Sequence, residues 1–194
     1  MHILFLSNYF PPEVNAPANR LSEHARHWVE EGHTVDVLTS VPNFPEGEVY
    51  DGYENELTIE EREGVRVTRV PMYVSPNEGV LGRILSYVSF MISACWFARK
   101  VPRPDVLVAT SPQFFAALAG FWVSLCKRVP FVLEIRDIWP ESVVAVGAMS
   151  RNAIIRFFEW LERFLYRHSD RIVVVTDAFK QNIVEKGTSP EKIS

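Results

Sequence analysis

Residues 129–142 read VPFVLEIRDIWPES. Phe131, Val132, Leu133 and Ile135 form a short apolar run of the kind that makes a buried strand. The run ends on two opposite charges, Arg136 and Asp137, where a core element should finish quietly. In an open, mainly parallel sheet the carboxyl ends of the strands are where ligands sit. Charges there have a use if the rest of the chain builds such a sheet.

Working outward, the pattern predicts one. Residues 2–7, 34–40, 65–71, 105–111 and 171–177 are further apolar or alternating runs. Between them lie segments of helical spacing. Leu21, Ala25, Trp28 and Val29 mark a first helix closed by Gly32. Residues 78–100 and 112–128 form two apolar helices, the second with Pro112 at N1. Residues 150–170 form an amphipathic helix from a Ser150 cap, and 178–187 a last helix closed by Gly187. Residues 41–64 read as a long acidic loop. Strands alternating with helices predict an α/β, Rossmann-like, doubly wound and mainly parallel sheet of about six or seven strands.

The chain has 194 residues, is 47% hydrophobic and carries a net charge of −4. That excludes wholesale disorder and argues against general nucleic-acid binding. The charge is uneven: residues 1–82 sum to −9 and residues 83–136 to +5. Cys95 and Cys126 each fall in an apolar run without a Cys-x-x-Cys partner, so they read as reduced core thiols of a cytosolic protein. The start MHILFLSNYF has no basic region and too short an apolar run for a signal peptide.

Four loops fall at the carboxyl ends of the strands: 7–20, 40–53, 110–113 and 136–142. The first has no glycine between Leu6 and Arg20, which argues against NAD or FAD. It offers instead Asn8, Asn15, Asn19 and Arg20, donors and acceptors suited to hydroxyls, with capping as the plain use of Asn15. His24 and His27, three apart on the first helix, lack further metal-ligand spacing and read as a solvated face. Residues 84–98 are uncharged but too short to span a bilayer, which takes about 20 residues. With Arg83, Arg99 and Lys100 beside Tyr87, Phe90 and Trp96, this helix reads equally as an anionic-lipid contact and as core. Residues 114–126 read as core.

In order along the chain, SNYFPPEVNAPANR, PNFPEGEVYDGY, ATSPQFFAALAG and EIRDIWPESVVAVGAM resemble the N-terminal half of a family 4 glycosyltransferase. Within it the likeness is to the fucosamine-transferase-like branch of bacterial O-antigen and capsule assembly. The resemblance covers essentially all of residues 1–194 and implies the acceptor-binding domain of a GT-B fold. The donor-binding C-terminal domain would lie outside this chain, which alone would be inactive.

The resemblance implies a retaining transfer without metal or other cofactor. A nucleotide sugar, UDP-linked by expectation, would be the donor, and a polyprenyl-diphosphate-linked saccharide the acceptor, at the cytoplasmic face of the inner membrane. Many relatives carry His-Asp where this chain has Arg136-Asp137, so Arg136 is expected to clamp an anion or hydroxyl and Asp137 to orient or deprotonate the acceptor. Asn8, Asn15, Arg20, Asn43, Thr110, Ser111, Gln113, Glu141 and Ser142 are the expected acceptor contacts. A different expectation is a non-catalytic docking subunit that recruits a separate donor-binding chain.

Overall fold

A computed structural model describes residues 1–75, 80–111, 113–141 and 152–194. Seven strands form one sheet: β1 (His2–Leu6), β2 (Thr34–Ser40), β3 (Thr58–Arg62), β4 (Val65–Val70), β5 (Val106–Ser111), β6 (Phe131–Ile135) and β7 (Arg171–Val174). Their order is β3-β4-β2-β1-β5-β6-β7. All neighbours run parallel except β3 against β4. The Rossmann-like expectation therefore holds.

The helices are α1 (Ala16–Glu30), α2 (Val80–Phe97), α3 (Phe114–Lys127), α4 (Ala153–His168) and α5 (Asp177–Glu185). Alternate residues of each strand face opposite layers, because the side-chain period of a strand is two. Phe5, Val35, Val37, Val65 and Val67 pack with Leu21 and Ala25 of α1 on one face. Leu4, Leu6, Leu38, Leu107, Leu133 and Ile135 pack with residues of α2, α3 and α4 on the other. Helices on both faces explain why the central strands are near-continuous apolar runs. At Gly120, α3 comes so close to β5 that an added Cβ would stand 2.5 Å from the Ala109 Cβ.

Several boundaries differ from expectation. The acidic segment 41–64 is not all loop, since Thr58–Arg62 is strand β3. Glu63 and Gly64, both at positive φ (52° and 77°), make the two-residue turn into β4. The sequence hid this strand because its exposed edge is charged. α4 begins at an Asn152 cap, whose Oδ1 accepts from the Ile155 N–H at 3.0 Å. Ser150 and Pro112 lie outside the described residues. Cys95 and Cys126 are surface thiols, not core ones, because both lie on the outward sides of their helices.

Candidate functional site

The carboxyl ends of β1, β2, β5 and β6 meet along one edge of the sheet, and two groups of side chains gather there. The first is organised by Glu13, a buried acid in the loop between β1 and α1. Its Oε1 accepts the backbone N–H groups of Asn43 at 3.0 Å and Phe44 at 3.1 Å. Its Oε2 accepts that of Phe10 at 3.4 Å. One carboxylate thus ties the loop after β1 to the loop after β2. Burial pushes the Glu13 carboxyl up to about 7, against the opposing pull of these N–H bonds and of Arg69.

Arg69, fully buried on β4, completes the tie. Its Nε donates to Glu60 Oε1 at 2.9 Å and its Nη1 to the Ser40 carbonyl at 3.3 Å. Its Nη2 reaches the Pro11 carbonyl, and its guanidinium lies 5.2 Å from the centre of the Tyr53 ring. The two loops held this way bound, with α2, a small polar pocket lined by Asn8, Tyr9, Asn43, Arg83 and Tyr87. Burial and the neighbouring Tyr87 keep the Tyr9 phenol protonated well beyond its ordinary range.

The second group lies between α1 and β6. Glu134, on β6, and Arg136, just past its end, stand two residues apart and their side chains meet. Arg136 Nη2 donates to Glu134 Oε1 in a close ion pair. Arg20, on α1, places its Nη2 3.8 Å from Glu134 Oε2 and 3.5 Å from Thr110 Oγ1. Burial lowers the Arg20 guanidinium from its ordinary value, with Arg136 adding to that shift and Glu134 opposing it. His24, one turn along α1, is lowered first by burial, with Glu134 opposing and the two arginines adding to the shift. It is therefore half-buried against a charged cluster and not on a solvated face.

All but one of the expected contacts have a place among the described residues. Asn8 and Gln113 come together, Gln113 Oε1 accepting the Asn8 N–H at 3.2 Å. Asn43 reaches the pocket rim, but its Nδ2 is spent on the Val41 carbonyl at 2.8 Å. Thr110 joins Arg20 in the second group. Asn15 is the N-cap of α1, its Oδ1 accepting the Ala18 N–H at 2.9 Å. Ser111 faces the opposite layer, beside Phe114, Trp139 and Glu162. Glu141 is drawn away to α5 and its C-cap, where Asn182 Nδ2 and Lys186 Nζ each reach it at 3.1 Å. Ser142 lies outside the described residues.

Asp137 is half-buried at the mouth of the edge. The residues after it hold it in place. Ile138 is buried, and the Trp139 ring packs edge-on against Phe158 of α4 at 4.6 Å and tilted on Phe114 at 5.4 Å. Glu13 and Glu134 were not singled out from sequence. Glu134 had a signal, its i, i+2 relation to Arg136, whereas Glu13 had only its position as a lone acid in a neutral loop.

The expected lipid contact divides. Phe90 is 1% exposed and packs in the core, so it cannot touch a membrane. Arg83 and Tyr87 turn toward the polar pocket. Trp96 is 60% exposed, with the Arg99 guanidinium 3.8 Å over its ring, and Lys100 is exposed beside it. Unexpectedly, α3 and α4 also carry exposed apolar side chains. Trp122 is 55% exposed, and Leu125, Ile154, Phe157 and Trp160 are exposed as well. Met91, Ile92, Cys95, Trp96 and Trp122 line a shallow apolar basin between α2 and α3. No helix among the described residues is long and apolar enough to cross a membrane. Among them no group of three or more His, Cys, Asp or Glu residues is arranged to hold a metal ion.

Known proteins share this architecture. A putative colanic acid biosynthesis glycosyl transferase, WcaI of Escherichia coli (strain K12), is 23% identical over 198 residues, covering 100% of this chain and 49% of that protein. Sucrose-phosphate synthase from Thermosynechococcus elongatus superposes on 96% of this chain with a TM-score of 0.65 at 10% identity, over 45% of its own length. HepE from Anabaena, in complex with UDP-glucose, covers 100% of this chain with a TM-score of 0.56 at 13% identity, over 43% of its own length. The chain thus spans about half the length of these relatives. Residues 15–194 match the glycosyl transferase 4-like domain, and the chain belongs to that family.

Proposed function

We propose that this chain binds the acceptor in a sugar transfer from a nucleotide-sugar donor to a lipid-linked saccharide, as part of cell-surface polysaccharide synthesis. The observation that carries the reading is a juxtaposition on α2. Its Arg83 and Tyr87 line the polar pocket at the strand ends, while its Ile92 and Trp96 belong to an exposed apolar face. One helix therefore addresses both a small polar site and an apolar surface. A substrate with a saccharide head on a polyprenyl tail needs both.

In this reading the chain docks on the cytoplasmic face of a membrane through Trp96, Arg99, Lys100 and the aromatic residues of α3 and α4. The acceptor hydroxyl sits near Asp137, which orients it and takes its proton. The transfer retains configuration and uses no metal, so catalysis is mostly positioning and electrostatic stabilisation. Most donor contacts would come from a second domain. A UDP-linked sugar is the expected donor, and the UDP-glucose bound to HepE supports that choice. A fucosamine-type donor is the narrower form of the same proposal.

The test is a donor screen on the protein made from the complete reading frame. It uses UDP-sugars, a polyprenyl-diphosphate saccharide in mixed micelles, and EDTA in parallel reactions. Transfer with retained anomeric configuration, unaffected by EDTA and lost in Asp137→Asn, is expected. An inverted product, or activity abolished by EDTA, overturns the mechanism. Transfer to soluble saccharides as fast as to lipid-linked ones overturns the acceptor assignment.

A further inference from the structure

The group between α1 and β6 is not used by the pocket at Asn8 and Tyr9, and its charges do not cancel. Glu134 is buried, and its single negative charge stands between two guanidinium groups, those of Arg20 and Arg136. The trio keeps a net charge of +1. Its hydrogen bonding is also incomplete. Among the described residues the two guanidiniums make one hydrogen bond each, to Thr110 and to Glu134. The Nε atoms of both arginines and Glu134 Oε2 are buried without a hydrogen-bond partner.

Buried polar atoms left unpartnered are uncommon, and a second like charge held beside the first makes the arrangement costlier. A fold keeps such a cluster where something completes it. The place is the carboxyl edge of β6, where doubly wound sheets bind ligands. Each arginine side chain is about three-quarters covered (24% and 23% exposed), which leaves part of it open to a ligand. A neutral hydroxyl would not offset the surplus charge. A cation would add to it. An oxyanion would cancel it and present two or three oxygens to planar forks that match them bidentately.

We propose that Arg20 and Arg136, braced apart by Glu134, form a two-arginine receptor for an oxyanionic group on the ligand, either a phosphoryl group or a sugar carboxylate. Glu134 is a positioning residue here. It fixes Arg136 by direct contact, holds Arg20 electrostatically, and keeps the pair from carrying the full repulsion of two unpaired cations. The proposal rests on the reading of this edge as a substrate site and deepens it. The molecule bound there is acidic, beyond any neutral hydroxyls recognised at the Asn8–Tyr87 pocket.

The experiment is calorimetric titration of this chain with inorganic pyrophosphate, glucuronate and glucose at constant ionic strength. Saturable binding of pyrophosphate, glucuronate or both is expected, with glucose weaker than either. The stronger of the two anions identifies the source of the oxyanion. Arg20→Gln and Arg136→Gln should each weaken anion binding by about tenfold or more, the loss expected of a charge-assisted hydrogen bond. Arg26→Gln, on the exposed outer side of α1 and paired with Glu30, should bind as wild type. Arg20→Lys and Arg136→Lys keep the charge beside Glu134 but lose the fork, so they should lose most of the affinity while melting like wild type. That arm stands if either Gln variant fails to fold. The proposal is overturned if neither anion binds better than glucose, or if the folded Gln or Lys variants bind like wild type. Either failure leaves the transferase reading intact, because transfer to a neutral acceptor does not need this receptor.

Discussion

The Glu13 carboxylate accepts the Asn43 N–H at 3.0 Å across 30 residues of sequence, and so joins the loops that follow β1 and β2. Both loops lie on the pocket through Asn8 and Asn43, so the same bond that closes the fold shapes the site.

This carboxyl gives the chain a pH-dependent stability. Its value is raised from 4.5 to about 7, so the folded state favours the protonated form more than the unfolded state does. The contribution is fully present below 4.5 and is lost as pH rises through about 7, a change of order 3 kcal/mol. Glu162 is also raised by burial and acts in the same direction. Urea unfolding at pH 5, 6, 7 and 8 should show stability falling across this window, with a shallower fall in Glu13→Gln. Parallel curves for the two proteins would show that Glu13 is not the group responsible.

Gly120 should resist replacement even by alanine. Alanine gains about 1 kcal/mol in helix propensity, but its Cβ would stand 2.5 Å from the Ala109 Cβ and 3.1 Å from Phe131. The helix must lift off β5, so Gly120→Ala should cost about 1–3 kcal/mol net and Gly120→Val more. Thermal or denaturant melts decide it. An unchanged midpoint for the valine variant would mean that α3 does not sit this close.

Trp139 should matter to the site without touching substrate. Truncation to alanine removes its packing on Phe158 and Phe114, a loss of about 3 kcal/mol, and frees the turn that carries Asp137. In the complete protein, Trp139→Phe should recover most of the stability and activity. If Trp139→Ala melts like wild type, the anchor is elsewhere.

Trp96→Ser and Trp122→Ser should leave the melting midpoint within about 0.5 kcal/mol of wild type, because both rings face outward. Each should weaken co-sedimentation with phosphatidylglycerol vesicles by roughly tenfold, the loss expected of one buried apolar side chain. Arg99→Gln should reduce binding to these vesicles but not the residual binding to phosphatidylcholine. Equal, negligible sedimentation with both lipids would remove the membrane assignment.

Much of this protein was legible in the chain because one-dimensional periodicity encodes it. The run at residues 131–135 and its companions gave six of the seven strands. The rule that ligands gather at carboxyl ends then picked out Arg20, Thr110, Arg136 and Asp137. β3 escaped because an edge strand with one charged side looks like a polar loop, and its hairpin turn used Glu63-Gly64, not Asn-Gly.

What the sequence could not decide was which side of an element another element covers. Residues 84–98 are apolar nearly all round, so no periodicity separates Phe90, which ends in the core, from Trp96, which ends outside. The same holds for Ser111 and Thr110, adjacent residues that alternation sends to opposite faces of the sheet. Glu13 and Glu134 acquire their meaning from partners far away in sequence, Asn43 at 30 residues and Arg20 at more than a hundred. Local pattern indicated most of the strands, the helices and the edge at which the polar loops gather. Only the tertiary packing, which determines what each side chain meets across the sheet, chose the residues that stand at that edge.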